Sequence, residues 1–190
     1  MSLEFLEDTH TYLLNGIVTP SVSTILRDTI FKDKYKNIPD FILQRAAAHG
    51  TAIHAAIEFD DDSNLNKEQK KSFNEWKELK KTFNIKPKKQ EIMIHYKNQY
   101  AGTFDMLATL NDMEVLIDIK TTYRLDLKYL SWQLSMYAMA YGFKGDLYAV
   151  WLPKKTEARV VRVPRIKDED IKKLLEDYNA LQENRDGLEF

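Results

Sequence analysis

The sequence predicts an α/β domain: a mixed central β-sheet flanked by helices. Three observations predict it. Strand-like segments with alternating apolar residues cluster between residues 91 and 120 and again between 146 and 163. Segments with helical spacing and recognisable caps precede, separate and follow them. The resulting order is hairpin, helices, strands, helix, strands, helix.

Each element has a local reason. Phe5 to Leu14 reads as a strand that turns at Asn15-Gly16, a strong short hairpin signal, and Ile17-Val18 starts the return. Pro20 stops that strand, and Ser21 can cap a short helix from Val22 to Arg27. Phe31 to Pro39 is an irregular connection containing lysines and aromatics. Asp40 can cap a long helix from about Phe41 to Phe59. After the polar loop Asp60 to Asn64, Asn66 followed by Gln69 resembles a capping box for a helix from Lys67 to about Phe83. Phe73, Trp76, Leu79 and Phe83 recur there at helical spacing, and core packing is the preferred reading of that stripe over base stacking.

Three strands follow. Glu91 to Tyr96 alternates, with Ile92 and Ile94 on one face. Tyr100 to Leu110 leads through a turn at Asn111-Asp112 into Glu114 to Lys120. Leu130 to Tyr141 is a helix ended near Gly142. Asp146 to Leu152 and Ala158 to Val163 form a further strand pair, and Asp168 begins a last helix through about Asn184. With no repeat, low-complexity tract or linker, residues 1–190 read as one domain with an N-terminal β-hairpin.

Composition narrows the chemistry. The hydrophobic content of 44% and charged content of 30% are ordinary for a globular protein, and no apolar run approaches a membrane span. Residues 1–8 lack the basic start and apolar stretch of a signal peptide, so a cytoplasmic location is expected, without a membrane. The absence of cysteine excludes disulfides, a cysteine zinc site, a thiol nucleophile and an iron–sulfur cluster. Any metal must be held by oxygen and histidine. The net charge of −1 argues mildly against a general basic nucleic-acid coat. Lysines nevertheless crowd the stretch from Lys67 to Lys89, either as a solvated helix face or as a face that tracks phosphates.

The residues that carry chemistry lie between Gly50 and Tyr141. Residues two apart on a strand share a face, so Asp118 and Lys120 point one way while Ile117 and Ile119 point into apolar packing. Asp105 ends or lines a neighbouring strand, which sets two carboxylates and an ammonium at the edge of a sheet. Asp118 interrupts an apolar run, and a carboxylate there is costly unless paired. A hard cation such as Mg²⁺ fits one or two carboxylates, waters and phosphate oxygens. His54 and Glu58 are four apart on the long helix and share a face, either as a bonded pair or as part of a site. His49 lies off that face and reads as structural or solvated. Gln133 and Tyr137 are also four apart on one helix face, and an amide and a phenol can hold a phosphate or sugar. Trp132 and Tyr141 could stack on bases, with core packing the preferred reading.

The order of these residues is more specific than any one of them. Gly50-Thr51-x-x-His54-x-x-x-Glu58, then Glu91, Gly102-x-x-Asp105, Asp118-Ile119-Lys120 and Gln133-x-x-x-Tyr137 resembles the RecB-like branch of the PD-(D/E)xK nuclease superfamily. The opening from His10 to Val22 resembles the N-terminal hairpin of phage and prophage exonucleases of that branch. The resemblance implies a restriction-endonuclease-like fold and a DNA phosphodiester hydrolase dependent on Mg²⁺ or Mn²⁺. It implies an exonuclease of phage or mobile-element recombination or repair. A structure-specific endonuclease with the same site, and a degenerate DNA-binding module, remain alternatives. By the same resemblance His54, Asp105, Asp118 and the carbonyl of Ile119 would bind the metal, and Lys120 would activate water. Gln133 and Tyr137 would position the DNA strand, with Glu91 an auxiliary catalytic acid and Glu58 a carboxylate behind the ligands. Several relatives carry four cysteines for an iron–sulfur cluster, which this chain lacks. A helicase or recombination partner would be a separate protein, and an oligomer is compatible with the sequence.

Overall fold

A computed structural model of the chain describes residues 2–186. It begins with an antiparallel meander of three short strands: β1 (Leu3–Leu6), β2 (Thr11–Leu14) and β3 (Ile17–Thr19). The strand expected from Phe5 to Leu14 is therefore two strands. Residues 7–10 form a turn in which the His10 N–H donates to the Glu7 carbonyl and His10 takes φ 53°. Asp8 and Thr9 favour that turn over continued extension. The expected second turn is present, with Asn15 at φ 52° and Gly16 at φ 78°, the positive values a tight hairpin turn requires.

Helix α1 (Val22–Asp28) is capped by Ser21, whose side chain accepts the Thr24 N–H. Helix α2 (Asp40–Phe59) departs from expectation at its start: Pro39 is the capping position, no side chain caps it, and Asp40 lies within the first turn. There its charge still favours the helix N-terminus. Helix α3 (Lys67–Thr82) has the expected capping box between Asn66 and Gln69. Helix α4 (Leu127–Tyr141) begins earlier than apolar spacing suggested, because the Asp126 side chain caps it by accepting the Tyr129 N–H. Gly142, at φ 75°, ends it. Helix α5 (Asp168–Asp186) closes the described chain.

The central sheet holds β4 (Lys86–Tyr96), β5 (Tyr100–Leu110), β6 (Met113–Lys120), β7 (Asp146–Trp151) and β8 (Arg159–Val163), in that spatial order. All neighbours are antiparallel except β6 and β7, which are parallel and joined through α4 as a crossover. Strand β4 starts at Lys86, ahead of the expected Glu91. Residues 86–90 are too polar to alternate visibly, yet they pair with Met106 to Thr109, and their lysines suit an edge strand.

The sheet has a core on each face. On one side Phe104, Leu107 and Leu116 pack with residues of α1, α4 and α5. On the other Met106, Val115, Ile117 and Ile119 pack with Ile53 of α2 and with Phe73 and Trp76 of α3. The aromatic stripe of α3 is thus core, as are Trp132 and Tyr141 at the margin of the first cluster. Among the described residues no helix is long and apolar enough to cross a membrane.

Candidate active site

The site forms where two strands part. Pairing of β5 with β6 runs from Leu110–Met113 back to Met106–Ile117 and stops there. Asp105 and Asp118 hold the next positions on either side of the fork. Beyond it β5 stays with β4 as far as the Tyr96–Tyr100 pair, while β6 stays with β7 as far as Lys120–Trp151. The expected place of these residues is a sheet edge. They lie instead in its interior, because β7 and β8 add beyond β6 and make it the central strand.

The fork leaves the backbone of Ile119 without a strand partner on its open side. Side chains take over both of its polar groups. The Ile119 N–H donates to Asp105 Oδ2, and the Ile119 carbonyl oxygen lies 3.1 Å from His54 Nε2. His54 Nδ1 lies 3.4 Å from Asp105 Oδ1. One imidazole therefore bridges a carboxylate and a carbonyl. Helix α2 brings it there by passing close to the end of β6, where a Cβ on Gly50 would sit 3.3 Å from Thr121 Oγ1.

Asp118 is buried, 2% exposed, and its Oδ2 lies 2.7 Å from Lys120 Nζ. Both side chains leave the same face of β6, as the two-residue spacing required. Burial pushes the Asp118 carboxyl up to about 6, with Asp105 adding to the shift and Lys120 opposing it. Burial alone would lower the Lys120 ammonium, but Asp118 and Asp105 raise it to about 12. Burial also disfavours the Asp105 carboxylate, yet His54, Lys120 and the Ile119 N–H hold it below the ordinary carboxylate range. His54 shows the converse: burial disfavours its charge, and Asp105 overrides this and raises it to about 9. That shift favours the imidazolium form, whose two N–H groups would face Asp105 and the Ile119 carbonyl.

Glu91 faces Asp105 across β4 and β5, between the pairs Gln90–Met106 and Ile92–Phe104. Its backbone is left-handed, φ 46°, a costly conformation for a non-glycine residue inside a strand. The carboxyl sits at the exposed mouth, where partial burial followed by the field of Asp105 raises it to about 7. His54, Glu91 and Asp105 each offer a ligand atom, and these lie within 4.8 Å of one another. Asp118 stands behind that group, engaged with Lys120.

The remaining expected residues take other positions. The side chain of Glu58 reaches the site electrostatically, adding to the shift of Glu91, while its backbone carbonyl accepts Gln90 Nε2 at 3.0 Å. His54 is bonded to Ile119 and Asp105, so the helix pair with Glu58 is not its partner. Gln133 and Tyr137 are buried and bonded to each other, Gln133 Nε2 donating to the Tyr137 hydroxyl at 3.1 Å. Gln133 Oε1 is buried without a hydrogen-bond partner. Gly102 makes room for this pair, since a Cβ there would lie 2.7 Å from Tyr137 Cε1. His49 is buried, and burial lowers its pKa. The lysines of the Lys67 to Lys89 stretch include members of ion pairs with Glu75, Asp112 and Glu114.

The Phe31 to Pro39 connection carries no expected role. Its Tyr35 and Lys34 lie within electrostatic reach of Lys120. The alternation of Phe31, Lys32, Lys34, Tyr35 and Lys36 was the available signal.

No protein-family model matches the chain, and no curated protein matches it significantly in sequence. Among solved structures, the crystal structure of SSO0001 superposes with a TM-score of 0.53 at 18% identity, covering 86% of this chain and 76% of that one. At that identity the likeness is one of fold. A candidate exonuclease from Eubacterium rectale gives a TM-score of 0.44 at 12% identity over 73% of this chain and 65% of that one. A phage-related exonuclease from Haemophilus somnus 129PT gives 0.42 at 10% identity over 84% and 89%.

Proposed function

We propose that this chain is a divalent-metal-dependent DNA phosphodiester hydrolase of the RecB-like PD-(D/E)xK type, acting as an exonuclease in phage or mobile-element recombination or repair. The observation that carries the reading is the fork between β5 and β6. There Asp105 takes the Ile119 N–H, His54 spans Asp105 and the Ile119 carbonyl, and the Asp118–Lys120 pair follows on β6, which supports the roles the motif order implies.

The donor set fits a hard divalent cation. Carboxylates, one imidazole and a backbone carbonyl suit Mg²⁺ or Mn²⁺, and no thiolate is present to favour a softer ion. His54, Asp105, Asp118 and Ile119 would hold it, with Glu91 as an auxiliary acid. Such an ion lowers the pKa of bound water and stabilises charge on phosphate oxygens.

The chain's own groups do the rest. Lys120, cationic and fixed by Asp118, donates hydrogen bonds to the attacking water or to a phosphate oxygen. Asp105 keeps its charge at neutral pH and orients His54. Gln133 and Tyr137, buried and bonded to each other, would support the DNA strand only from the layer beneath, where Gly102 admits the Tyr137 ring. The test is cleavage of end-labelled linear duplex, linear single-stranded and closed circular DNA with Mg²⁺, Mn²⁺ or EDTA, beside Lys120→Ala. Metal-dependent loss of linear DNA alone, absent in the variant, is the expected result. Cleavage of circles would make the enzyme an endonuclease, and no cleavage with DNA still bound would leave a degenerate binding module.

A further inference from the structure

The first half of α2 is unusual for a helix of this length. From Asp40 to Ala48 only Leu43 is partly covered, while Phe41 is 70% exposed and Ile42 46%. Just before it, Tyr35 is 47% exposed, and across the end of β6, Tyr123 is 69% exposed. The segments that carry these rings are tied together by contacts at Gly50 and Lys34. Gly50 of α2 abuts Thr121, two residues before Tyr123. From Gly50 back to Phe41 the helix extends about 14 Å at its rise per residue.

The connection that carries Tyr35 is held down. Lys34 Nζ pairs with Asp126 Oδ2 at 2.7 Å and sits 3.5 Å from the centre of the Tyr129 ring, while Phe31 packs edge-on against the same ring at 5.1 Å. The centre of the Tyr35 ring lies 5.8 Å from the anchored Lys34 Nζ, and the residue stays about half exposed. The Tyr35 phenol lies within electrostatic reach of Lys120.

Charge favours one kind of occupant. Residues 29–48 and 120–129 hold seven lysines and arginines against three aspartates, in a chain whose net charge is −1. Exposed rings interleaved with cations suit unpaired nucleotides, whose bases offer free π-faces and whose backbone offers phosphates. A duplex hides those faces inside its own stack, so it would meet the cations and leave the rings without a partner.

We propose that this surface is the approach path for a single DNA strand, with Tyr35, Phe41 and Tyr123 stacking on unpaired bases and Lys32, Lys36 and Arg124 tracking phosphates. It rests on the nuclease reading above and deepens it: the strand delivered to the Asp105–Lys120 site is unpaired. A duplex would reach it only through a frayed end or an overhang.

Binding measured in EDTA tests the path without requiring cleavage. The probes are a fluorescent oligothymidylate and a blunt duplex of equal length, titrated against the wild type and against Tyr35→Phe, Tyr35→Leu, Phe41→Ala and Tyr123→Leu. The wild type is expected to bind the single strand at least tenfold more tightly. Tyr35→Phe keeps that affinity, whereas each loss of a ring weakens it roughly 5- to 100-fold, and duplex binding changes less than twofold. These positions are exposed, and an unchanged melting temperature confirms that each variant is folded. Equal binding of the single strand by the wild type and the ring-deleted variants overturns the path, as does a preference for duplex or no binding of either probe. If the protein hydrolyses no DNA with any metal but the ring dependence holds, the path stands and the nuclease reading falls. If it hydrolyses DNA with no dependence on the rings, the reverse is true.

Discussion

The carboxylate of Asp105 accepts the backbone N–H of Ile119, the group a neighbouring strand would have paired had β5 and β6 stayed together. A side chain thus completes the sheet at the point where the sheet opens, and the same carboxylate sets His54. Structure and chemistry meet in one residue, so substitutions at Asp105 should separate them.

Asp105→Asn keeps an oxygen for the Ile119 N–H but removes the charge. It should fold and lose metal-dependent activity by several orders of magnitude. Asp105→Ala removes the acceptor as well, and an unsatisfied N–H in this largely buried place costs about 1–3 kcal/mol. Urea unfolding of the two variants checks this. Equal stability for Asn and Ala would show that the Ile119 bond contributes nothing to the fork.

Lys120→Ala should also divide function from fold, but with a stability penalty. It strands Asp118, which is 2% exposed, without its cation. Removing one partner of a buried pair costs about 3–5 kcal/mol, and Asp118 will respond by binding a proton. Asp118→Asn/Lys120→Met should regain much of that stability while remaining inactive. Thermal melts of the single and double variants at pH 7 measure it. A double variant no more stable than Lys120→Ala would mean that packing, and not the orphaned charge, sets the loss.

Much of the fold was legible because its signals are local. The Asn66 to Gln69 capping box, the Asn15-Gly16 turn and the alternation in Tyr100 to Leu110 each depend on neighbours in sequence. The motif positions were legible too, as residue types in a given order. What stayed hidden was long-range. Whether β6 is an edge or a centre depends on β7 and β8 pairing beyond it, and nothing within Leu116 to Lys120 encodes that. The partner of His54 stayed open for the same reason. Glu58 is near in sequence, but the strand fork brings Ile119 and Asp105 closer. Asp126 as a cap shows a missed local signal, since its acid stands one residue before a helix whose first apolar positions are exposed or half-covered.

Gly102 offers a probe of the layer beneath the site. Its missing side chain is what admits the Tyr137 ring, with a Cβ contact of 2.7 Å otherwise. Gly102→Ala should destabilise the protein by about 1–3 kcal/mol through overpacking. Tyr137→Leu should relieve the clash, so the two changes together should cost less than their sum. Tyr137→Phe, by contrast, keeps the ring and removes only the acceptor of Gln133 Nε2. A double-mutant cycle on denaturant midpoints checks the coupling. Strict additivity for Gly102→Ala with Tyr137→Leu would show that the ring moves aside freely.

Protons and a divalent cation should compete for this cluster, and the direction is fixed by the pKa values. Asp118 is raised to about 6, Glu91 to about 7 and His54 to about 9. A group raised on folding contributes stability below its unfolded pKa and loses it as pH rises through the folded value. Without metal the protein should therefore become less stable from pH 3.8, the ordinary value of Asp118, up to about 9, first through Asp118 and last through His54. Glu91 contributes little, being exposed to solvent. Asp105 acts oppositely, since its lowered pKa gives stability that is lost only in acid. A cation binds the deprotonated forms, so its affinity rises over the same window. Each tenfold gain in affinity adds about 1.4 kcal/mol once the ion exceeds its dissociation constant. The shift in melting temperature produced by 5 mM Mn²⁺, an amount chosen as roughly saturating for a weak oxygen site, should thus grow from pH 5.5 to pH 8.5. It should shrink and flatten in His54→Ala. A metal shift independent of pH in the wild type would remove His54 and Asp118 from the coordination sphere and leave the imidazolium bridge as a purely structural clasp.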